Sequence, residues 1–373
     1  LTKGARVAHQ ITKLNPSMPS LETQPSFVEE VRIEEAKWHA LWKTNITPTD
    51  FSRTNSVSRG AAFSRKSIRN AASSFEMTTS CLDGIPIKCI ALCSDMLLDC
   101  LSFLFQIASF FAYYPSEMGA MVVKLIDKKD SPFRPIVLFR SLYRLHGRLM
   151  ATETRAWEKA ALGKTPFGNN QGRETLDSVF RCWVRQAILL TTGSARAAAD
   201  ILIDLRKCFE FLSRSLLWKA CSDHGYPLHI ARMSLQAYAW PRYILGQYDL
   251  CGKTVVASGG IAAGSPFATT ELKVYLLKLA RALQAAAEPA AALSIFVDDF
   301  SISGAHETEA RTAAVITSTY RLAIAGLKEL GLIVAADKTE LITSSQELRA
   351  LFQVGITTCN HDSGCRKLGV DVT

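Results

Sequence analysis

Residues 293–300 read Leu293-Ser-Ile-Phe-Val-Asp-Asp-Phe300, an apolar stretch that ends in two adjacent carboxylates. The stretch predicts a buried strand, and a hairpin over Leu293–Ser303 with Asp298 and Asp299 at its tip. Two neighbouring carboxylates repel each other and are costly to bury, whereas a divalent cation would stabilise them. The alternative is a polar hairpin turn, since aspartate is a common turn residue.

A further carboxylate follows a second apolar strand. Residues 199–205 read Ala-Asp-Ile-Leu-Ile-Asp-Leu, so that Asp204 comes at the end of a run containing β-branched side chains. Two strands that each bring a carboxylate to one end of a sheet form an oxygen-lined site suited to Mg²⁺. Asp204 alone could equally cap a strand end, so the prediction of a metal site depends on the combination.

The composition indicates a folded protein with a polyanionic partner. The 373 residues are 48% hydrophobic and carry a formal charge of +9. Such a chain can bury a sizeable core, and a basic surface favours nucleic acid. Between residues 120 and 165, ten Lys and Arg stand against four Asp and Glu, so the positive charge is clustered.

Strand and helix patterns mix without strict alternation, which predicts an α+β fold with helices packed on one face of an antiparallel sheet. Val28–Lys43 predicts a helix whose Trp38 and Trp42 form a small hydrophobic cluster, and Thr47–Ser80 predicts a linker. The other predicted elements are helices within 85–114, 142–162, 175–190, 213–224, 269–286 and 305–330, and strands within 121–126, 197–205, 247–257, 332–335 and 340–343.

The apolar run Ile90–Tyr114 is long enough to raise the question of a membrane span. Asp95 and Asp99 interrupt it, and charges there would be costly in lipid, so we expect a buried helix and no membrane partner. The ten cysteines have no regular spacing, which indicates reduced thiols in an intracellular protein. The pattern does not distinguish nucleus from cytoplasm, and it leaves the oligomeric state open.

Five motifs, in order along the chain, resemble those of reverse transcriptases. Asp204, followed five positions later by Phe209, resembles the first catalytic motif. Phe296-Val-Asp298-Asp299 resembles the aromatic-X-Asp-Asp signature. The others are a Gly-Ser-Pro loop at 259–267, a Lys-Thr-Glu motif at 338–340 and a primer-grip hairpin at 367–370.

The resemblance extends upstream and covers about residues 85–370. Three upstream segments of the chain resemble segments that precede the first catalytic strand in non-LTR retroelement and group II intron enzymes. They lie at 114–129, 133–145 and 168–177. The resemblance implies a right-hand polymerase with fingers, an antiparallel palm sheet packed on helices, and a thumb that is largely missing. The implied domains are a partly disordered N-terminal extension at 1–84, fingers at 85–195, a palm at 196–350, and a primer-grip hairpin with the start of a truncated thumb at 351–373.

The resemblance also implies roles for the catalytic residues. Asp204 and Asp298 would ligate two Mg²⁺ ions, with Mn²⁺ as a substitute, and Asp299 would support the site. Lys338 would approach the triphosphate and protonate the leaving pyrophosphate. A surface lysine at a strand boundary is the alternative for Lys338.

Further residues would bind the substrates. The bulky ring of Phe209 would lie under the incoming sugar and exclude a 2′-hydroxyl, unless it is simply a core residue. Arg134 suits phosphate oxygens because its guanidinium is a planar fork. The full set implied for nucleotide binding is Phe209, Arg134, Lys124, Gly264 and Ser265, and the set implied for the primer grip is Leu368 and Gly369.

The implied function is that of an RNA-directed DNA polymerase in a retroelement polyprotein. It would add dNTPs to the 3′-hydroxyl of a DNA or RNA primer on an RNA template, by two-metal-ion catalysis. Ala263 stands where most relatives have Gln, so that either activity is lowered or a neighbour such as Ser265 compensates for the lost side chain. Two alternatives stay open: a weak or inactive polymerase-like domain that binds RNA, and an RNA-dependent RNA polymerase, against which Phe209 argues.

Overall fold

The structure is a computed structural model that describes residues 24–42, 62–128, 131–163, 165–168, 184, 186–245, 253–287, 289–355, 365–367 and 370–372. The helices are α1 (Gln24–Trp42), α2 (Arg65–Ser73), α3 (Asp95–Phe111), α4 (Ser141–Ala161), α5 (Cys208–Phe211), α6 (Arg214–Asp223), α7 (Leu228–Tyr238), α8 (Ala268–Ala287), α9 (Glu309–Glu329) and α10 (Gln346–Gly355). The strands are β1 (Met121–Lys128), β2 (Ser131–Leu138), β3 (Ala197–Ile203), β4 (Pro241–Leu245), β5 (Val255–Val256), β6 (Ala292–Phe296), β7 (Asp299–His306), β8 (Glu340–Thr343), β9 (Cys365–Lys367) and β10 (Val370–Val372).

The chain divides into two compact units. Unit 1 contains the described residues of 1–157 and 212–271, and unit 2 those of 158–211 and 272–373. The mixture of sheets and helices confirms the predicted α+β fold. The domain boundaries at 84, 195 and 350 stay a prediction.

Unit 2 contains a four-stranded antiparallel sheet in the order β6-β7-β3-β8. Ile201, Ile302 and Leu341 lie opposite one another on neighbouring strands and are buried, as the period of two in a strand requires. Helix α9 packs on β3 and β7. A Cβ atom on Gly304 would lie 2.9 Å from Ile316 Cδ1, so the missing side chain lets the helix approach the strand closely.

Unit 1 contains a second sheet, in the order β2-β1-β4-β5. The pairs β1–β2 and β4–β5 are antiparallel, but β1 pairs with β4 in parallel. The sheet of unit 2 is thus the antiparallel sheet that the sequence predicted, and the parallel pair in unit 1 is a feature that the sequence did not reveal. A parallel pair needs a long connection, and more than a hundred residues separate these two strands in the sequence.

The N-terminal region contains more structure than predicted. Helix α1 matches its prediction, and the rings of Trp38 and Trp42 are buried with centroids 5.3 Å apart, which confirms the hydrophobic cluster. Helix α2 lies inside the predicted linker, so that prediction is wrong for residues 65–73, and residues 47–61 of the predicted linker lie outside the described residues. The Ser64 side chain caps α2, and Ile68 and Ala72, four residues apart, are its buried positions; this contact surface is too short to show a period in the sequence.

Other predicted elements differ from the structure in detail. Residues 332–335 were predicted to be a strand, but they form a bridge in which Val334 pairs with Leu205. Helix α7 was not predicted, and β4 and β5 flank the segment 246–252, which lies outside the described residues. In the part of the chain that the structure describes, we find no helix with the length and apolar character that crossing a bilayer requires.

Candidate active site

The turn between β6 and β7 presents Asp298. Phe296 pairs with Asp299, so the two-residue turn consists of Val297 and Asp298, and Asp299 is the first residue of β7 rather than part of the tip. Val297 has φ 58°, a left-handed conformation that is unfavourable for a β-branched residue. The turn therefore places a strained residue directly before the first carboxylate.

Asp204 directly follows the last residue of β3, and it lies at the edge of the sheet where the turn between β6 and β7 also lies. Ile203 pairs with Phe300, which places Asp204 in register beside Asp299. Backbone hydrogen bonds hold this segment: Ala335 N donates to Asp204 O (2.9 Å), and Arg206 N donates to Ile333 O (2.8 Å). Two strands therefore deliver carboxylates to one edge, as the sequence predicted.

The carboxylates at this edge influence one another electrostatically. Partial burial, followed by the charges of Asp298 and Asp204, raises the pKa of Asp299 to about 7. Solvent still reaches Asp299, so hydration of its carboxyl is reduced and not lost. Burial, and then the same two aspartates, also raise the pKa of the Cys208 thiol, which keeps it protonated. Cys208 is a neighbour of the site that the sequence did not reveal.

Lys338 lies beside Asp204. It ends a short 3₁₀ helix, Ala336–Lys338, and its Nζ is 3.9 Å from Asp204 Oδ2, with both side chains partly exposed. The buried Thr339 hydroxyl donates to Ala335 O (3.0 Å) and anchors the end of this helix. The structure therefore places the side chain of Lys338 beside the carboxylate of Asp204, two residues that the sequence assigned to one site.

The acidic edge suits a divalent cation that arrives with other ligands. Among the described residues, no group of three or more His, Cys, Asp and Glu side chains lies close enough to hold a metal ion. Mg²⁺ is usually held by one or two carboxylates, with water and substrate phosphates as its other ligands. Asp204, Asp298 and Asp299 supply carboxylate oxygens at this edge, so the donor set fits Mg²⁺ bound together with a triphosphate.

Phe209 follows Asp204 by five positions in the sequence. Its ring belongs to α5 and is half-buried, so it is not a fully enclosed core residue. Its contact with a sugar stays a prediction.

The predicted basic contacts belong to unit 1. Lys124 lies in the middle of β1 and is half-buried, with Ile136 and Leu245 as its strand neighbours. Arg134 lies in β2 with its backbone paired to Ile126. The Arg134 side chain lies outside what the structure describes, and both roles stay predictions. The predicted primer-grip residues, Leu368 and Gly369, also lie outside the described residues, between the paired strands β9 and β10.

Gly264 is required by the protein's own backbone. Its φ is 110°, and a Cβ atom there would lie 2.5 Å from Val137 O. Val137 N also donates to Ala263 O at 3.1 Å, so the loop lies directly against β2. The contact with Val137 is thus sufficient reason for a glycine here, and a contact of Gly264 with a nucleotide stays a prediction.

Ser265 is buried among hydroxyl groups, a placement that the sequence did not reveal. Its Oγ lies 3.2 Å from the Tyr143 hydroxyl and 3.1 Å from the Tyr238 hydroxyl, and it accepts from Phe267 N at 3.3 Å. A hydroxyl with these partners cannot replace the glutamine that Ala263 lacks without losing buried hydrogen bonds. These contacts fix the position of Ser265 within the loop, and its contact with a nucleotide stays a prediction.

Arg214 is a second residue that sequence reasoning missed. The buried guanidinium donates to the carbonyls of Ala257, Gly259, Gly260 and Tyr238, at 2.7–3.0 Å. It therefore holds the start of the Gly-Ser-Pro loop to the end of α7. A basic residue after an N-capping serine, in an otherwise apolar segment, was the available signal.

Comparisons with known proteins identify the family. A family model described as "Reverse transcriptase (RNA-dependent DNA polymerase)" matches residues 126–372. A search of curated proteins found no match.

Similar solved structures include apo telomerase from Candida tropicalis truncated from the C-terminal domain, at 13% identity and TM-score 0.49, covering 70% of this chain and 54% of that one. Telomerase from Candida albicans in complex with a TWJ fragment of telomeric RNA matches at 14% identity and TM-score 0.47, covering 69% of this chain and 46% of that one. This chain thus spans about half the length of those proteins. The assignment rests on the family model, and the range that it matches contains Asp204, Asp298, Asp299 and Lys338. The chain belongs to the reverse transcriptase family of RNA-directed DNA polymerases, which are nucleotidyltransferases.

Proposed function

We propose that this chain adds deoxynucleotides to the 3′-hydroxyl of a DNA or RNA primer on an RNA template, by two-metal-ion catalysis. The observation that carries the proposal is the register of unit 2, in which Ile203 pairs with Phe300 and so brings Asp204 and the Asp298–Asp299 pair to one sheet edge. Membership of the family supports the reaction class. We further propose that the chain is part of a retroelement polyprotein that acts inside the cell, in the nucleus or the cytoplasm.

The carboxylates would hold the catalytic ions. Asp204 and Asp298 would hold two Mg²⁺ ions, with Mn²⁺ as a substitute, and Asp299 would add negative charge beside them. When bound, the ions would activate the 3′-hydroxyl and stabilise the leaving pyrophosphate. Burial and then the nearby aspartates raise the pKa of Asp299, and cation binding beside it is expected to lower that pKa again.

Other side chains would select and release the substrates. The primer 3′-hydroxyl releases its proton to solvent, and its oxygen bonds to the α-phosphorus while the bond to pyrophosphate breaks. Lys338 gives a proton to the leaving pyrophosphate. Its position 3.9 Å from Asp204 supports this role, since the carboxylate keeps the amine at the site. Phe209 would exclude a 2′-hydroxyl, and Lys124 and Arg134 would contact the triphosphate.

Primer extension on an RNA template tests the proposal. The full chain is incubated with dNTPs and Mg²⁺, and the expected result is extension that Asp298→Ala abolishes while RNA binding persists. Asp223→Ala is the matched control, because Asp223 is an exposed aspartate paired with Lys219 in unit 1. Extension by Asp298→Ala at the wild-type rate would disprove the active site.

The same assay distinguishes the alternatives. Incorporation of NTPs in preference to dNTPs would identify an RNA-dependent RNA polymerase. RNA binding without extension of any primer would identify a polymerase-like binding domain. The replacement of glutamine by Ala263, together with the buried hydroxyl of Ser265, is the observation that favours the binding domain.

A further inference from the structure

Unit 1 contains a fully buried carboxyl group, Glu271, in the first turn of α8. Ser234 Oγ donates to Glu271 Oε1, and Tyr238 Oη lies 2.5 Å from Glu271 Oε2. Both donors belong to α7. Burying a carboxyl is costly even with two hydrogen bonds, so a purely apolar side chain would be the cheaper way to fill this space.

The carboxyl ends a chain of hydroxyl groups that reaches the Gly-Ser-Pro loop. A hydroxyl has one proton, so when Tyr238 donates to ionised Glu271, its oxygen is left to accept from Ser265 at 3.1 Å. Ser265 Oγ in turn accepts from the Tyr143 hydroxyl at 3.2 Å. The order Tyr143, Ser265, Tyr238, Glu271 gives every donor an acceptor, and Glu271 determines the direction of the chain.

Tyr238 also holds the other end of the loop. Its carbonyl accepts from Arg214 at 2.7 Å, and the same guanidinium binds three carbonyls between Ala257 and Gly260. The loop is therefore fixed at its start through the Tyr238 backbone and at Ser265 through the Tyr238 side chain. The close contact between Gly264 and Val137 leaves little room for the segment between to shift.

We propose that Glu271 is a positioning residue for the polymerase reaction: through Tyr238 it fixes Ser265, and thereby the backbone of the Gly264 loop that receives the incoming nucleotide. This inference rests on the proposed function, because the loop receives a nucleotide only if the chain has the polymerase activity that the resemblance implies. Loss of the link is expected to weaken nucleotide binding and to leave the carboxylates of unit 2 intact.

A matched pair of variants tests the link. Tyr238→Phe and Ser234→Ala each remove one hydroxyl that donates to Glu271, but only Tyr238 also contacts Ser265. In steady-state primer extension, Tyr238→Phe is expected to raise KM for dNTP roughly 3- to 10-fold, the worth of one buried hydrogen bond, with kcat within about twofold. Ser234→Ala is expected to leave KM unchanged. Equal KM values for the two variants would overturn the proposal.

Conservative replacement of the carboxyl gives a second test. In Glu271→Gln the amide oxygen can accept from Tyr238, while the Ser234 hydroxyl can turn to accept from the amide nitrogen. Glu271→Leu can do neither. We expect Gln to keep KM near the wild-type value and Leu to raise it; a Gln variant as defective as the Leu variant would contradict a positioning role.

Hydrogen exchange tests the link without any need for activity. Tyr238→Phe is expected to speed exchange of the amides at 260–268 roughly 3- to 10-fold relative to Ser234→Ala. If the wild-type chain extends no primer, the proposed function fails, and this exchange ratio alone decides whether Glu271 positions the loop. A ratio near one overturns the inference even if polymerase activity is found.

Discussion

The two units of the chain hold the family's motif residues in contrasting environments. In unit 2, Asp204, Asp298 and Asp299 follow or begin strands, and solvent reaches each of them. In unit 1, Gly264 lies against Val137 and the Ser265 hydroxyl is buried among tyrosines. Motif residues of the first kind can act through their own atoms, whereas those of the second kind act by holding the backbone in place. Burial and hydrogen-bond partners distinguish the two kinds, and the following variants test the distinction.

The largest effect is expected from the solvent-reached carboxylate Asp204. Asp204→Asn keeps the shape of the side chain but removes the charge that holds a cation, so turnover is expected to fall roughly 10³-fold, equivalent to several kcal/mol. Asp337→Asn is the control, since Asp337 is an exposed carboxylate paired with Arg206, and its effect should stay within about twofold. Single-turnover extension rates measure both. A similar loss of extension rate in the two variants would show that the rate depends on the net charge of the region and not on a metal site at Asp204.

The next largest effect is expected on the free energy of unfolding, from a change in the Gly-Ser-Pro loop of unit 1. Gly264→Ala would place a Cβ atom 2.5 Å from Val137 O in a residue with φ 110°, so unfolding free energy is expected to drop by roughly 3 kcal/mol. Gly163→Ala is the matched control, because a Cβ there has no described atom within 4 Å. Urea denaturation compares the two. If Gly264→Ala were as stable as Gly163→Ala, the loop would be free to move and our contrast between the sheets would fail.

The buried carboxyl of unit 1 should make stability depend on pH. Burial raises the pKa of Glu271 to about 7, while the hydroxyls of Ser234 and Tyr238 oppose the shift. The titratable groups around it stay neutral in this range, because burial also raises the pKa of Tyr143, Tyr238 and Cys221.

The sign follows from linkage. The folded state holds the Glu271 proton more tightly than the unfolded state. The stabilisation of the fold that this proton gives is therefore fully present below the ordinary pKa of 4.5, and it is lost as pH rises through about 7. Between pH 4.5 and pH 8.5, wild type is expected to lose about 3 kcal/mol relative to Glu271→Gln, which cannot titrate. Unfolding free energies at both pH values measure the difference. Parallel pH curves for the two proteins would contradict a raised pKa.

The accessible edge of unit 2 could be predicted from sequence because its determinants are local. Asp204 and Asp298 each follow a short apolar strand, and strand period and motif order were enough to place them together. The detail that failed was Asp299, predicted at the hairpin tip but observed as the first residue of β7. A two-residue turn with a strained Val297 is not a pattern that turn propensities favour.

The environment of the unit 1 loop could not be predicted, because its contacts join distant parts of the chain. Ser265 meets Tyr143 across 122 positions, and Glu271 meets Ser234 across 37. In the sequence, Glu271 is an acidic residue in the first turn of a helix, a position that usually indicates a solvated carboxylate near the helix dipole. Only tertiary packing shows that it is buried. Arg214 was missed for the same reason.

A smaller effect is expected on substrate choice. Phe209→Ala removes a half-buried ring near the acidic edge, and the preference for dNTP over NTP is expected to fall roughly tenfold. Phe211→Ala, also half-buried and in the same short helix, is the matched control and should change stability without changing the preference. Competitive incorporation of dNTP and NTP measures both variants. Equal discrimination in the two would assign Phe209 to the core.

The smallest effect concerns the strained turn that presents Asp298. Val297 has φ 58°, where a side chain with Cβ costs about 1–2 kcal/mol, and two-residue hairpins of this form favour glycine at their first position. Glycine loses more freedom on folding, about 0.5–1 kcal/mol, so Val297→Gly is expected to gain a net stability of roughly 0.5–1 kcal/mol.

Val256→Gly should have the opposite sign and lose roughly 1 kcal/mol, because Val256 is an exposed strand residue without a positive φ. Thermal denaturation of both variants gives the signs, and primer extension gives the consequence. If the strain holds Asp298 in place, Val297→Gly should be more stable and yet slower than wild type. A variant that is more stable and equally fast would show that the strain is incidental, and that register alone positions the carboxylates of unit 2.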